Sequence, residues 1–213
     1  IGFSRAKLVY GCANLFQRID FLILYFSGVA STYINYPIAS SGQNQAYRRS
    51  LFDKVGGYSK ISHLLMGDDS IFLQLCLKAK INVKFCLNQD SFVYCRPEKT
   101  WKSLLLQRAR WAGDGKIMWK YNFTFYLIMI STVFVNLFVI VLLFIDFGYL
   151  LASIVLIKFI FEGALAYIGS YRMNQTISIS DFIYWFILNI PYVCSMCIAS
   201  FFVRFISWKN RGN

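Results

Sequence analysis

Charge is scarce in this sequence, histidine is almost missing and proline is rare. Of 213 residues, 15% are charged, three are proline and one is histidine. Soluble globular domains carry about 25% charged residues, so a chain that is 57% hydrophobic and 19% aromatic is not wholly water-soluble. A single histidine, His63, excludes a histidine-based triad or a multi-histidine metal centre from this chain. The six cysteines (Cys12, Cys76, Cys86, Cys95, Cys194, Cys197) make no disulfide framework, and their scatter suits a reducing compartment. Cys194-x-x-Cys197 lies in an apolar run with no second ligand pair, and reads as packing. Lys and Arg are dispersed and form no recognised module, so nucleic acid is not an expected partner. No signal peptide opens the sequence. Ile1-Gly2-Phe3, without Met, reads as the middle of a longer protein.

What is abundant is apolar length. Residues 121–145 hold no charge over 25 positions and residues 182–203 none over 22, enough to cross a hydrocarbon core of about 30 Å. The charges lie elsewhere. Residues 1–120 carry 17 Lys/Arg against 7 Asp/Glu, a net of +10, and residues 121–213 carry 5 against 3, a net of +2. The chain therefore divides into a basic, water-facing domain over 1–120 and a membrane segment over 121–213. A basic domain beside a bilayer can lie on anionic headgroups, hold orientation by the positive-inside rule, or bind a polyanionic substrate such as a nucleotide.

Periodicity predicts a short strand at 7–11 and an amphipathic helix over 15–28, with apolar residues at 15, 16, 19, 22, 23 and 26. Ser50 is an expected N-cap for a short helix at 51–55, which Gly56-Gly57 would end. Gly67-Asp68-Asp69-Ser70 should open a helix to about Lys80, the acids sitting where the helix dipole favours them. Two strands, 81–86 and 91–95, are expected to join at the Asn88-Gln89-Asp90 turn. A helix follows from Thr100 to Trp111. Strands alternating with helices point to an α/β fold class. The apolar half reads as helices near 121–145, 147–169 and 182–206, the first two joined by a tight hairpin at Asp146-Phe147-Gly148. Lys158 and Glu162, four apart, fit either a structural pair within one helix or the polar lining of a translocation path.

Two clusters can carry chemistry. In Gly67-Asp68-Asp69 a held carboxylate can take a proton from a hydroxyl, although an Asp pair at a helix start also serves as a cap. In Gln107-Arg108-Ala109-Arg110-Trp111, helical spacing puts Gln107, Arg110 and Trp111 on one side. Arg suits phosphate oxygens, Gln adds an amide donor, and Trp offers a face for a sugar ring. The same stretch also reads as a basic helix with a Trp at a membrane interface.

Taken in order, Gly42-x-Asn44-x-Ala46-Tyr47-Arg48-Arg49, Phe52-x-x-Val55-Gly56-Gly57-Tyr58, Gly67-Asp68-Asp69, Gln107-x-x-Arg110-Trp111 and the apolar helices resemble the membrane-embedded family 2 glycosyltransferases. These include cellulose, chitin, hyaluronan and poly-N-acetylglucosamine synthases. The motifs cover residues 1 to about 120, and the closing Trp208-Lys209-Asn210-Arg211 is similar to the ending of many bacterial members. The resemblance implies an acceptor-side, C-terminal half of a GT-A domain followed by about three transmembrane helices. It places the catalytic base on Asp69, with Asp68 supporting the loop. It assigns Gln107, Arg108, Arg110 and Trp111 to the donor pyrophosphate and the acceptor end, and Gly42 and Asn44 to an acceptor-side loop. The reaction it implies is a single inverting displacement, in which fixed cations stabilise the pyrophosphate as its charge grows.

Two departures matter. Ser70 follows the Asp pair where chitin- and hyaluronan-type relatives carry Arg. Before Gly42 the only acidic residue is Asp20, so the Mg²⁺ or Mn²⁺ the family uses is expected on an Asp-x-Asp upstream of this chain, and no metal site within it. The expected function is sugar transfer from a nucleotide-sugar donor to a glycan or lipid-linked acceptor, in polysaccharide biosynthesis of the cell envelope. It would occur at the cytoplasmic face of the inner membrane, with the bilayer as partner and the isolated fragment inactive. The rival is a transporter or scaffold subunit with a non-catalytic cytosolic domain. One conflict remains. Three full crossings from a cytoplasmic domain put Arg204, Lys209 and Arg211 outside, against the positive-inside rule, unless one segment lies in the interface.

Overall fold

The computed structural model describes residues 1–64, 68–145 and 148–205, and side chains for all of these except 114 and 203–205. It is mostly helical, with one small sheet. Strand β1 (Ser4–Ala6) pairs in parallel with β2 (Val93–Cys95), Ser4 opposite Val93 and Ala6 opposite Cys95. Gly2 adds a bridge to Cys86. This corrects the hairpin expectation. The segments 81–86 and 91–95 do not pair with each other; both reach the N-terminal strand, and a single 3₁₀ turn, Gln89–Ser91, lies between them. The first strand also falls earlier than 7–11.

Helix α1 (Cys12–Tyr33) is longer than its apolar spacing suggested and is buried on more than one side. Phe16, Ile19 and Ile23 join a cluster with Leu104, Phe182, Trp185 and Phe186. Helix α2 (Arg49–Val55) begins one residue before the expected Ser50 cap, with Arg48 at the N-cap. It ends as expected at Gly56, whose φ of 88° is left-handed and suits glycine because no Cβ is present to clash. At Gly57, φ 58°, a Cβ would also stand 2.9 Å from the Phe52 ring. Helix α3 (Ser70–Lys78) buries Ile71, Phe72, Leu73 and Cys76. Helix α4 (Trp101–Gly115) follows β2.

The three apolar segments become α5 (Phe123–Ile145), α6 (Tyr149–Arg172) and α7 (Ile179–Ala199), the last continued by a 3₁₀ stretch, Ser200–Phe205. The spans Phe123–Ile145, Tyr149–Arg172 and Ile179–Phe202 are long and apolar enough to cross a membrane. Ser178 caps α7 through a capping box with Asp181. The hairpin residues Asp146 and Phe147, Gly67 of the acidic motif and the closing Trp208-Lys209-Asn210-Arg211 lie outside the described residues.

Candidate functional site

Asp69 is the N-cap of α3, and its carboxylate accepts from the Ser70 backbone N–H. Its second oxygen accepts from Gly42 N at 3.2 Å. The two motifs, joined here by residues 27 positions apart along the chain, thus meet at one carboxylate. A Cβ at residue 42 would stand 3.7 Å from that of Asp69, an ordinary contact, so the loop and the turn are already packed against each other. Ser40 and Ser70 seal the contact from behind, the Ser70 hydroxyl donating to Ser40 O at 2.9 Å. A carboxylate offers about four lone-pair sites. Two are used here, so Asp69 retains capacity to take a proton.

Burial pushes the Asp69 carboxyl above its ordinary value; the Ser70 and Gly42 N–H groups pull it back, and the charge of Asp68 raises it further. Asp68 itself is exposed. Behind this turn stand the aromatic residues of the other two motifs. Tyr47, Phe52 and Tyr58 pack on Phe72 of α3 with ring centroids 5.0–5.7 Å apart. The Tyr47 and Tyr58 hydroxyls meet at 2.7 Å, and that bond, with burial, pushes Tyr58 up to about 12. The motif stretch 46–58 therefore braces the helix that carries Asp69.

Asn44 has a different job from its loop neighbour. Its amide Nδ2 donates to Phe3 O and to Ser91 O, both at 2.9 Å, and its carbonyl accepts from Gly2 N at 2.8 Å. It ties the N-terminal segment to the segment before β2, and its own N–H donates to Ser41 O at 3.2 Å, closing the turn that contains Gly42.

On α4 the four motif residues separate. Gln107 donates to Glu98 at 3.0 Å. Arg110 is half-buried, and burial lowers its pKa against the opposing pull of Glu98. Arg108, 3% exposed, turns inward. Its guanidinium lies 2.6 Å from the Asp20 carboxylate, in an ion pair without aligned hydrogen bonds. It sits between the rings of Phe21 and Trp111, 4.6 and 4.2 Å from their centroids. Trp111 stacks on Phe21 at 5.9 Å and is still 38% exposed. Burial pushes the Asp20 carboxyl up more strongly than Arg108 draws it down.

Three participants were not legible as site residues. Asp20 holds Arg108. Tyr25 of α1 brings a buried hydroxyl near Ser4, Ser41 and the Asp69 charge. Glu98 holds Gln107. Each partners a residue at least nine positions away in the chain, which no local pattern encodes. Among the described residues no three His, Cys, Asp or Glu side chains converge as metal ligands. Lys158 reaches Glu162 within α6 at 2.6 Å.

Comparison with curated proteins and with solved structures returned no match. The model of one family, described as glycosyl transferase family group 2, matches residues 7–203. That span takes in the acidic turn, α4 and the apolar helices, and the chain belongs to that family.

Proposed function

We propose that this protein transfers a sugar from a nucleotide-sugar donor to a glycan or lipid-linked acceptor at the cytoplasmic face of the inner membrane, with inversion. Asp69 is the general base. It accepts the proton of the acceptor hydroxyl as that oxygen attacks the anomeric carbon and the nucleoside diphosphate leaves. Asp68 supports the turn and keeps Asp69 basic by its charge. Gln107 and Arg110 face the pyrophosphate, where a planar guanidinium fork suits phosphate oxygens. Trp111 serves the acceptor end with its exposed ring face. Arg108 acts through position, since its charge is engaged by Asp20. A divalent ion, as the resemblance implies, would be held by groups other than these.

The observation that carries this reading is the seat of Asp69. It is a half-buried carboxylate fixed by two backbone N–H groups from two motifs, its pKa raised by burial. General bases contribute about 10²–10⁴-fold, and a pKa raised toward the working pH improves the proton transfer. The test is sugar transfer by the membrane-embedded protein carrying Asp69→Asn. Asn preserves the cap and the volume. Turnover should fall by about 10²–10⁴-fold with donor affinity unchanged. Turnover within about threefold of the parent would remove Asp69 from this role.

A further inference from the structure

Helix α7 is long enough to cross a bilayer, yet both of its ends lie against the basic domain. At its start the turn from α6 is tied down twice. The Arg5 guanidinium donates to Met173 O and Asn174 O, and Gln175 donates to Arg18 O at 3.4 Å. The first helical turns follow, with the Tyr184 hydroxyl donating to Cys12 O at 3.4 Å. In the middle, Trp185 and Tyr192 face the Asp20–Arg108 pair between α1 and α4. At the far end the Lys116 ammonium, just past α4, lies 5.1 Å from the Phe201 ring centroid, and the stretch Ser200–Phe205 packs along α4.

A span of 24 residues, Ile179–Phe202, is about 36 Å long at 1.5 Å per residue. Stood across a core of about 30 Å, it would carry Phe201 to the face opposite the domain. Instead α7 runs beside α4 from Leu104, which shares a cluster with Trp185, to Lys116. We infer that α7 does not cross the membrane: it lies in the interface on the domain's side, packed on α1, α4 and α5, with its outward stripe in lipid.

The two faces fit this placement. Phe182, Trp185, Phe186 and Asn189 are buried toward the protein. Ile179, Ile183, Ile187, Ile198 and Phe202 form one outward stripe, each at least 41% exposed. Beside the start of α7, Arg5, Arg18 and Asn174 line one groove, and Lys7, Arg96 and Lys99 line the next around the shared Tyr94. A basic rim next to an apolar stripe is the chemistry of an anionic headgroup layer, where each Lys or Arg adds about 1 kcal/mol of attraction. The placement also removes the charge conflict, because the basic residues that follow α7 in the sequence then stay on the domain's side, as the positive-inside rule requires.

The test uses the whole chain with an epitope tag after Asn213, in sealed vesicles of one orientation. Cys86 is exposed on the domain. Hydrogen bonds from Ser91 and the Asn88 backbone hold its thiol below the ordinary value, so a membrane-impermeant maleimide should find it. Cys86→Ser identifies its share of the label. Accessibility of Cys86 to the maleimide and of the tag to protease from the same face is the expected result. Labelling of Cys86 with the tag protected, reversed in vesicles of opposite orientation, would overturn the proposal. A second measurement needs no tag. In the same vesicles, Thr176→Cys in the α6–α7 turn and a cysteine added after Asn213 should label from one face. Labelling from opposite faces would overturn the proposal equally. Neither result depends on sugar transfer.

Discussion

The acidic turn and the basic helix each place two charged residues within three positions, and the fold treats them oppositely. At the turn, exposed Asp68 precedes half-buried Asp69, and the inner carboxylate is satisfied by backbone N–H groups, which add no charge. On α4, Arg108 is buried and its partner is a full opposite charge, Asp20. A carboxylate held by dipoles keeps a basic lone pair for chemistry. A guanidinium held by a carboxylate and two rings is committed to holding helices together. Two residues further along, Arg110 lies on the other side of the same helix. A basic run in a helix thus divides, by the turn of about 200° between positions two apart, into one residue committed to architecture and one on the opposite face.

The largest separation between the two regions should appear at Asp69. Asp69→Asn removes turnover by about 10²–10⁴-fold while leaving the fold intact. Because burial raises this carboxyl in the folded protein, its ionised form is disfavoured there. Stability from this group is therefore fullest below the unfolded value of about 3.9 and declines as pH rises through the folded one. At neutral pH the Asn variant should be no less stable than the parent, by thermal unfolding in detergent. In the parent, the acid limb of kcat/KM should lie above the ordinary carboxylate range, and Asn should abolish that limb. An unchanged pH profile in the variant would show that another group sets it.

Arg108 should behave in reverse. Arg108→Ala strands Asp20 in the core and should cost about 3–5 kcal/mol of stability, read as a lower denaturation midpoint. The double change Asp20→Leu with Arg108→Met removes both charges and should be less destabilising than Arg108→Ala alone, since apolar replacement of a buried pair is often neutral. A double variant as unstable as the single would mean that the pair contributes specific attraction beyond avoiding a stranded charge.

Smaller still is Asn44→Ala. It leaves Ser91 O without its donor, while Phe3 O keeps the Val93 N–H, for about 1–3 kcal/mol, and loosens the loop over Asp69. Activity should fall with stability, and hydrogen exchange at Gly2 and Val93 should quicken. Trp111→Ala is the mildest for the fold, at about 0.5–2 kcal/mol from the lost cation–π contact. If Trp111 serves the acceptor end, acceptor KM should rise more than donor affinity changes.

These contrasts also show what a sequence carries. The helices were legible wherever one face repeats every three or four residues or where charge is missing for a membrane's thickness, and Gly56 closed α2 as its type demands. The two motifs were visible in their order, but the meeting of Gly42 with Asp69 was not. What stayed hidden was pairing at a distance. Segments 81–86 and 91–95 look like a hairpin because each is apolar and a turn lies between, but parallel partnership with residues 2–6 leaves no local mark. Arg108 could not be sorted from Arg110 without Asp20, which is 88 positions away. Asn44 read as a loop residue, since nothing nearby announces that its amide reaches two separate segments.

The parallel pairing of Ser4 with Val93 has a consequence in time. Every residue between them must be looped before three rungs of ladder can form, and loop closure is compensated only after both strands and the Asn44 clasp arrive. The helical parts need only neighbours and can form first, in microseconds. The sheet, and with it the level at which Gly42 sits over Asp69, should therefore be the last feature to mature. A chain whose α-helical signal is complete should still be gaining activity.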